Sequence, residues 1–238
     1  MKTDAKIIFL HHSTGHCVWN GGVAEWFQTY NAQKKTSYSI AEQAFHKGKP
    51  YGWNNYPFDY WNIWVNHAGV SPFTEEPTLE MLTRDYDVII WKHCFPVSCV
   101  TEDTGKPDVG SAEKRLENYK AQYAVLLQKM RSFPAVKFIA WTAAALTKNS
   151  TNEADATRAK AFVDWTVKEW DKKGDSVFLW DFNTLETEGG LYLADGNAAN
   201  PNDSHPSEAF SRKAAPLFCR RIVDVVEGRG DTGSLTGA

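Results

Sequence analysis

Several things are scarce in this chain of 238 residues. Its four cysteines, Cys17, Cys94, Cys99 and Cys219, form no Cys-x-x-Cys pair. That removes the common zinc and dithiol patterns, and a chain of this length needs no disulfide scaffold, so the thiols are read as reduced. No apolar run approaches the roughly 18 residues of a membrane span, and Ile7–Leu10 is too short for a signal-peptide core. The expectation is a protein that is cytoplasmic as given, secreted or periplasmic only if a leader has been removed, and not associated with membrane. An excess of one charge is also missing. The formal net charge is −3 and no basic stripe is visible, which argues against nucleic acid as a partner. His12 and His16 are spaced like zinc ligands on a helix, but the stretch reads as a strand end and a glycine turn, so neither metal nor cofactor is expected.

What the chain does have is aromatic residues, with ten Trp among them. Tyr51, Trp53, Tyr56, Phe58, Tyr60, Trp61 and Trp64 crowd an irregular stretch, about 51–78, among Gly, Asn and Pro. Long loops of this kind inside a domain are commonly functional, and Trp and Tyr faces stack on sugar rings as readily as they fill cores. Trp53 and Trp61 are therefore candidate substrate contacts, with a plain packing role as the equal alternative.

Elsewhere short apolar runs alternate with helical patterns. Lys6–His11, Asp87–Lys92, Val136–Trp141 and Ser176–Asp181 read as strands covered on both faces, and a further strand is expected around Ser37–Ala44. Val23–Tyr30, Ser111–Ser132, Asp155–Lys172 and Ser207–Val226 read as helices, the last with Ser207 as N-cap and Gly228 as its stop. This order predicts an α/β fold, with a central parallel sheet between two layers of helices. Residues 1–228 form one domain in this reading, and 229–238 a flexible tail.

In such sheets ligands gather beyond the carboxyl ends of the strands. Ser13 follows the first strand there, and Asn202-Asp203-Ser204-His205-Pro206-Ser207 precedes the last helix. A serine hydroxyl needs a base, and a histidine base needs a group to fix its tautomer. Ser13, His205 and either Asp203 or Asn202 supply these parts. Gly15, Gly21 and Gly22 allow a tight turn whose free N–H groups are candidate oxyanion donors.

Strand-then-serine at one end and Asp-Ser-His-Pro before the final helix resemble the SGNH (GDSL-type) hydrolase superfamily. The likeness extends over most of the chain as an element order. Its specific motifs cover only Phe9–Gly15, Val88–Ser98 and Asn202–Ser207. The resemblance implies a flavodoxin-like fold and acyl-ester chemistry, with Ser13 as nucleophile, His205 as base and Asp203 as acid. It also makes Gly52 a candidate for the second-block glycine. Three departures mark a divergent member. His11-His12 stands in place of Gly-Asp before the serine. Asn202 occupies the usual acid position. Lys92-His93-Cys94-Phe95-Pro96 replaces the block that carries an oxyanion asparagine, leaving Lys92 and His93 as substitute donors. The expected function is hydrolysis of a short, acetyl-type ester on a small molecule or glycan. The alternatives are an inactive carbohydrate-binding module on the same fold and a sugar O-acyltransferase.

Overall fold

A computed structural model describes residues 3–52 and 55–238. In chain order the elements are β1 (Asp4–His11), α1 (Ser13–Trp19), α2 (Val23–Lys34), β2 (Ser37–Ala44), α3 (Pro57–Trp61), α4 (Leu79–Asp85), β3 (Val88–Trp91) and α5 (Leu116–Arg131). There follow β4 (Lys137–Trp141), α6 (Glu153–Trp165), β5 (Val177–Trp180), α7 (Phe182–Thr187), β6 (Ala198–Asn200), β7 (Asp203–Pro206) and α8 (Glu208–Val226). Single π turns extend α3 over Asn62–Asn66 and α6 over Thr166–Trp170.

The five main strands pair in parallel in the order β2-β1-β3-β4-β5. This is the flavodoxin-like order, and it puts the switch point between β1 and β3, where consecutive connections leave to opposite sides. Alternation along the strands divides the core in two. Ile8, Leu10, Ile89, Trp91, Phe138, Ala140, Val177 and Leu179 face the layer of α3, α4, α5 and α6. Ile7, Phe9, Val88, Ile90, Ile139, Trp141, Phe178 and Trp180 face α1, α2 and α8. Both faces are dry, which is why these strands read as unbroken apolar runs rather than as alternation.

The local differences from expectation have local causes. The glycine turn after β1 is helix α1, beginning at Ser13; the left-handed φ of +109° at Gly22 turns the chain from α1 into α2. Helix α5 starts at Leu116 rather than Ser111 because Tyr56 Oη and Gln122 Nε2 draw the carbonyls of Ala112 and Ser111 into bonds outside a helix. The Asn202–Ser207 loop contains β7, a short antiparallel partner of β6. Residues 229–238, read as a loose end, are bonded back to the domain: Trp180 Nε1 donates to Thr236 O at 2.9 Å, and the Asp181 N–H to Leu235 O at 2.9 Å. The buried Arg221 closes the same seam, donating to Leu179 O and Gly230 O. Among the described residues, no helix is long and apolar enough to cross a membrane.

Candidate active site

Ser13 is the first residue of α1, exposed at the carboxyl end of β1. Helix α1 can begin there because Gly15 has no side chain. A Cβ on Gly15 would lie 2.5 Å from His11 Cβ and 2.9 Å from Lys92 Cδ, so only glycine lets the helix settle over both stems. The Ser13 hydroxyl contacts Cys94 Sγ at 3.7 Å, and α1 packs against β7.

On β7 the acid and the histidine are joined. His205 Nδ1 is 2.6 Å from Asp203 Oδ1, and the same oxygen accepts the His205 backbone N–H at 3.0 Å. The N–H bond and the imidazole bond hold the Asp203 carboxyl below its ordinary range. A carboxylate on Nδ1 puts the proton there and leaves Nε2 as the free, basic nitrogen. The pair is part-exposed, 33% for His205 and 40% for Asp203. The loop is fixed from below by buried Ser204, whose Oγ accepts the Thr147 N–H at 3.0 Å. Asn202 points elsewhere, accepting from Asn149 Nδ2 at 3.1 Å.

His205 and Ser13 thus flank one dipeptide at the end of β3. The Phe95 ring meets the imidazole edge-on, with centroids 5.0 Å apart and planes at 88°, while the neighbouring Cys94 touches Ser13. No Ser13–His205 hydrogen bond is present among the described residues.

The expected oxyanion donors fare differently. The N–H groups of Gly15, Gly22 and Gly52 are bonded to the carbonyls of His12, Trp19 and Gly48. Gly22 stands at the far end of α1, before α2. These three glycines shape the chain and do not present free donors. His93 is buried on the α5 side of the sheet, with Nε2 on Tyr123 Oη at 2.8 Å and its ring among Tyr60, Trp91 and Tyr123. Burial first, then the charge of Lys92, lowers its pKa far below the ordinary imidazole value, so it is a neutral core residue. Lys92, one residue earlier, faces the other way, under α1, with Nζ 3.4 Å from Cys94 Sγ.

Most of the aromatic stretch is core. Tyr60 and Trp64 are fully buried and Tyr56 nearly so. Tyr60 Oη donates to Lys92 O at 2.7 Å, and Asp59 accepts the Tyr56 N–H at 2.9 Å. Burial raises the Asp59 carboxyl to about 6 despite that bond. Trp61 is half-buried beside Phe58 and the Gly110 turn. Trp53 lies outside the described residues.

Sequence reasoning missed Cys94, Phe95 and Asn55. Asn55 is buried at a φ of +52°, its Oδ1 accepting the Cys94 N–H and its Nδ2 donating to Phe45 O, both at 2.7 Å. It clamps the end of β3 to the end of β2. For Cys94 a signal was available: period-two alternation puts Lys92 and Cys94 on one side and His93 on the other. His11 Nε2 and His16 Nδ1 both reach Glu42 Oε2, at 2.8 and 3.4 Å. No group of three or more His, Cys, Asp or Glu among the described residues is arranged to hold a metal ion.

The chain has the fold of an acetyl xylan esterase. That solved structure superposes with a TM-score of 0.53 at 16% identity, over 88% of this chain and 95% of the esterase. A gut microbial diltiazem-metabolizing enzyme superposes with a TM-score of 0.55 at 9% identity, over 98% of this chain and 48% of that one. This chain therefore spans about half of the second protein. No protein-family model matches the sequence, and no curated protein matches it.

Proposed function

We propose that this chain is an SGNH-type serine esterase that removes short acyl groups, acetyl above all, from carbohydrate alcohols. The observation that carries the reading is the 2.6 Å Asp203–His205 pair beside Phe95, with Ser13 against the adjoining Cys94. The shared fold with an acetyl xylan esterase supports the substrate class.

In this mechanism Ser13 Oγ attacks the ester carbonyl while His205 Nε2 takes its proton. Asp203 keeps the imidazole in the required tautomer and stabilises the imidazolium. The tetrahedral oxygen is held by the N–H of Ser13, the first residue of α1, which has no preceding turn of helix to donate to. His205 returns the proton to the leaving sugar hydroxyl, and water reverses the sequence to free the acid. The mechanism requires the neutral imidazole, since an imidazolium cannot act as a base.

Acetate release from an acetylated glycan and from a small aryl acetate tests the proposal. Wild type turns over both, and Ser13→Ala slows both by at least about 10⁴-fold. Equal release by the two proteins contradicts it. Appearance of acetyl on an added acceptor sugar in place of free acetate would make the chain a transferase using the same residues.

A further inference from the structure

The esterase reading uses Asp203, His205 and Ser13 but leaves a buried pair on the other side of the serine unexplained. Lys92 is 1% exposed, and an amine so enclosed needs a partner. Its Nζ donates to Cys94 Sγ at 3.4 Å and stands 5.8 Å above the Trp141 ring. The same sulfur is the atom that Ser13 Oγ meets at 3.7 Å. Asn55 fixes the sulfur's backbone through the Cys94 N–H, and Tyr60 fixes that of Lys92 through its carbonyl. Three side chains are thus strung in a row: ammonium, sulfur, nucleophilic hydroxyl.

We propose that Lys92 and Cys94 are positioning residues for the nucleophile: the Lys92 ammonium holds Cys94 as a thiolate, and the thiolate holds the Ser13 hydroxyl until substrate arrives. The proposal rests on the esterase reading and deepens it. Asp203 orients the base, and Lys92 with Cys94 orients the group the base will deprotonate. As the ester docks, the Ser13 O–H turns from sulfur to His205 Nε2.

The electrostatics agree. Burial alone would raise the Cys94 thiol, but the Lys92 charge, the Thr14 N–H and the Ser13 hydroxyl outweigh it and hold the thiol below its ordinary range. Burial draws the Lys92 ammonium down, and the sulfur opposes that. The other titratable groups that act on the pair are Cys17 on α1, Tyr60 on α3, Glu186 on α7, and His11, His12 and His93 at the ends of β1 and β3. Burial holds Glu186 and Cys17 towards their neutral forms, as it does the three histidines, which leaves the Cys94 sulfur as the group beside the amine whose anion is favoured.

The test measures thiolate absorbance in the far ultraviolet, as a difference between wild type and Cys94→Ala across a pH titration. It also measures the rate at which a fluorophosphonate labels Ser13 in wild type, Cys94→Ala, Cys94→Ser and Lys92→Met, each checked for folding by thermal melt. Expected is a thiolate signal already present at neutral pH in wild type, with a midpoint that Lys92→Met moves upward. Cys94→Ala should lower the labelling rate about tenfold, because a hydroxyl no longer held by the sulfur leaves the rotamer from which it attacks. It should also remove one ionisation from the rate–pH profile. Cys94→Ser keeps an acceptor without the charge, so it should restore part of the rate and none of that ionisation. A thiolate midpoint in the ordinary range, about 8.5, overturns the proposal. So does a labelling rate and pH profile that Cys94→Ala leaves unchanged while wild type is labelled on Ser13; the esterase reading then stands. Wild type that takes no label on Ser13 brings down both.

Discussion

The carboxyl edge of the sheet and the aromatic layer beneath it treat their polar groups in opposite ways. At the edge, Ser13, Asp203 and His205 are exposed or part-exposed, and His205 is bonded through Nδ1 while no bond to its other nitrogen is present among the described residues. In the aromatic layer, Tyr56, Tyr60 and Trp64 are buried, and each places its polar atom on a backbone carbonyl: Ala112, Lys92 and Pro77. Both regions came from conspicuous runs of residues. The aromatic layer also holds unpaired polar atoms, Trp91 Nε1 among them, but they are buried, whereas the polar groups at the edge are open to a substrate. Abundance of Trp and Tyr was therefore a weaker guide to the candidate site than a serine near one end of the chain and an Asp/His pair near the other.

The comparison can be broken from the core side first. Trp64→Ala should destabilise the fold by about 3–5 kcal/mol, read as a lower urea midpoint, while molecules that remain folded keep their esterase rate. A stable variant with lost activity would move Trp64 from core to substrate wall.

A smaller effect sharpens the boundary between the regions. His46 is buried against Tyr51, Phe45 and Tyr60, and burial lowers its imidazole to about 3. An unfolded histidine takes a proton near 6.5, so between these values the unfolded state binds more protons. Stability is full above about pH 6.5 and falls as pH drops towards about 3, with a slope approaching roughly 1.4 kcal/mol per pH unit for this residue. His46→Phe should flatten the urea midpoint against pH over that window. An unchanged slope would mean that His46 already carries a proton in the folded protein.

Least is expected of Trp61→Ala. Half-buried beside Phe58, it should cost about 1 kcal/mol or less. If its face meets the glycan, KM rises for the acetylated glycan and not for a small aryl acetate. Equal KM values assign it to packing alone.

The layered fold was legible because β1, β3, β4 and β5 are covered on both faces and so are written as plain apolar runs. His205 with Asp203 was legible as a pair because two residues separate in sequence by one position can be joined within a single turn of chain. What was not legible depended on contacts between distant segments. That the Gly15 and Gly52 N–H groups are already bonded, or that Asn55 reaches Cys94, cannot be read from either segment alone. The start of α1 at Ser13 was hidden because the cue, Gly15, has a helix-breaking reputation locally, while its function is to clear His11 and Lys92.

The most direct test of the central claim is intact-mass labelling of wild type, Ser13→Ala and His205→Ala with a fluorophosphonate, followed by mapping of the modified peptide. The account predicts one adduct, on Ser13, absent from Ser13→Ala and greatly slowed in His205→Ala. No adduct, an adduct on another residue, or one formed equally fast without His205 would contradict it.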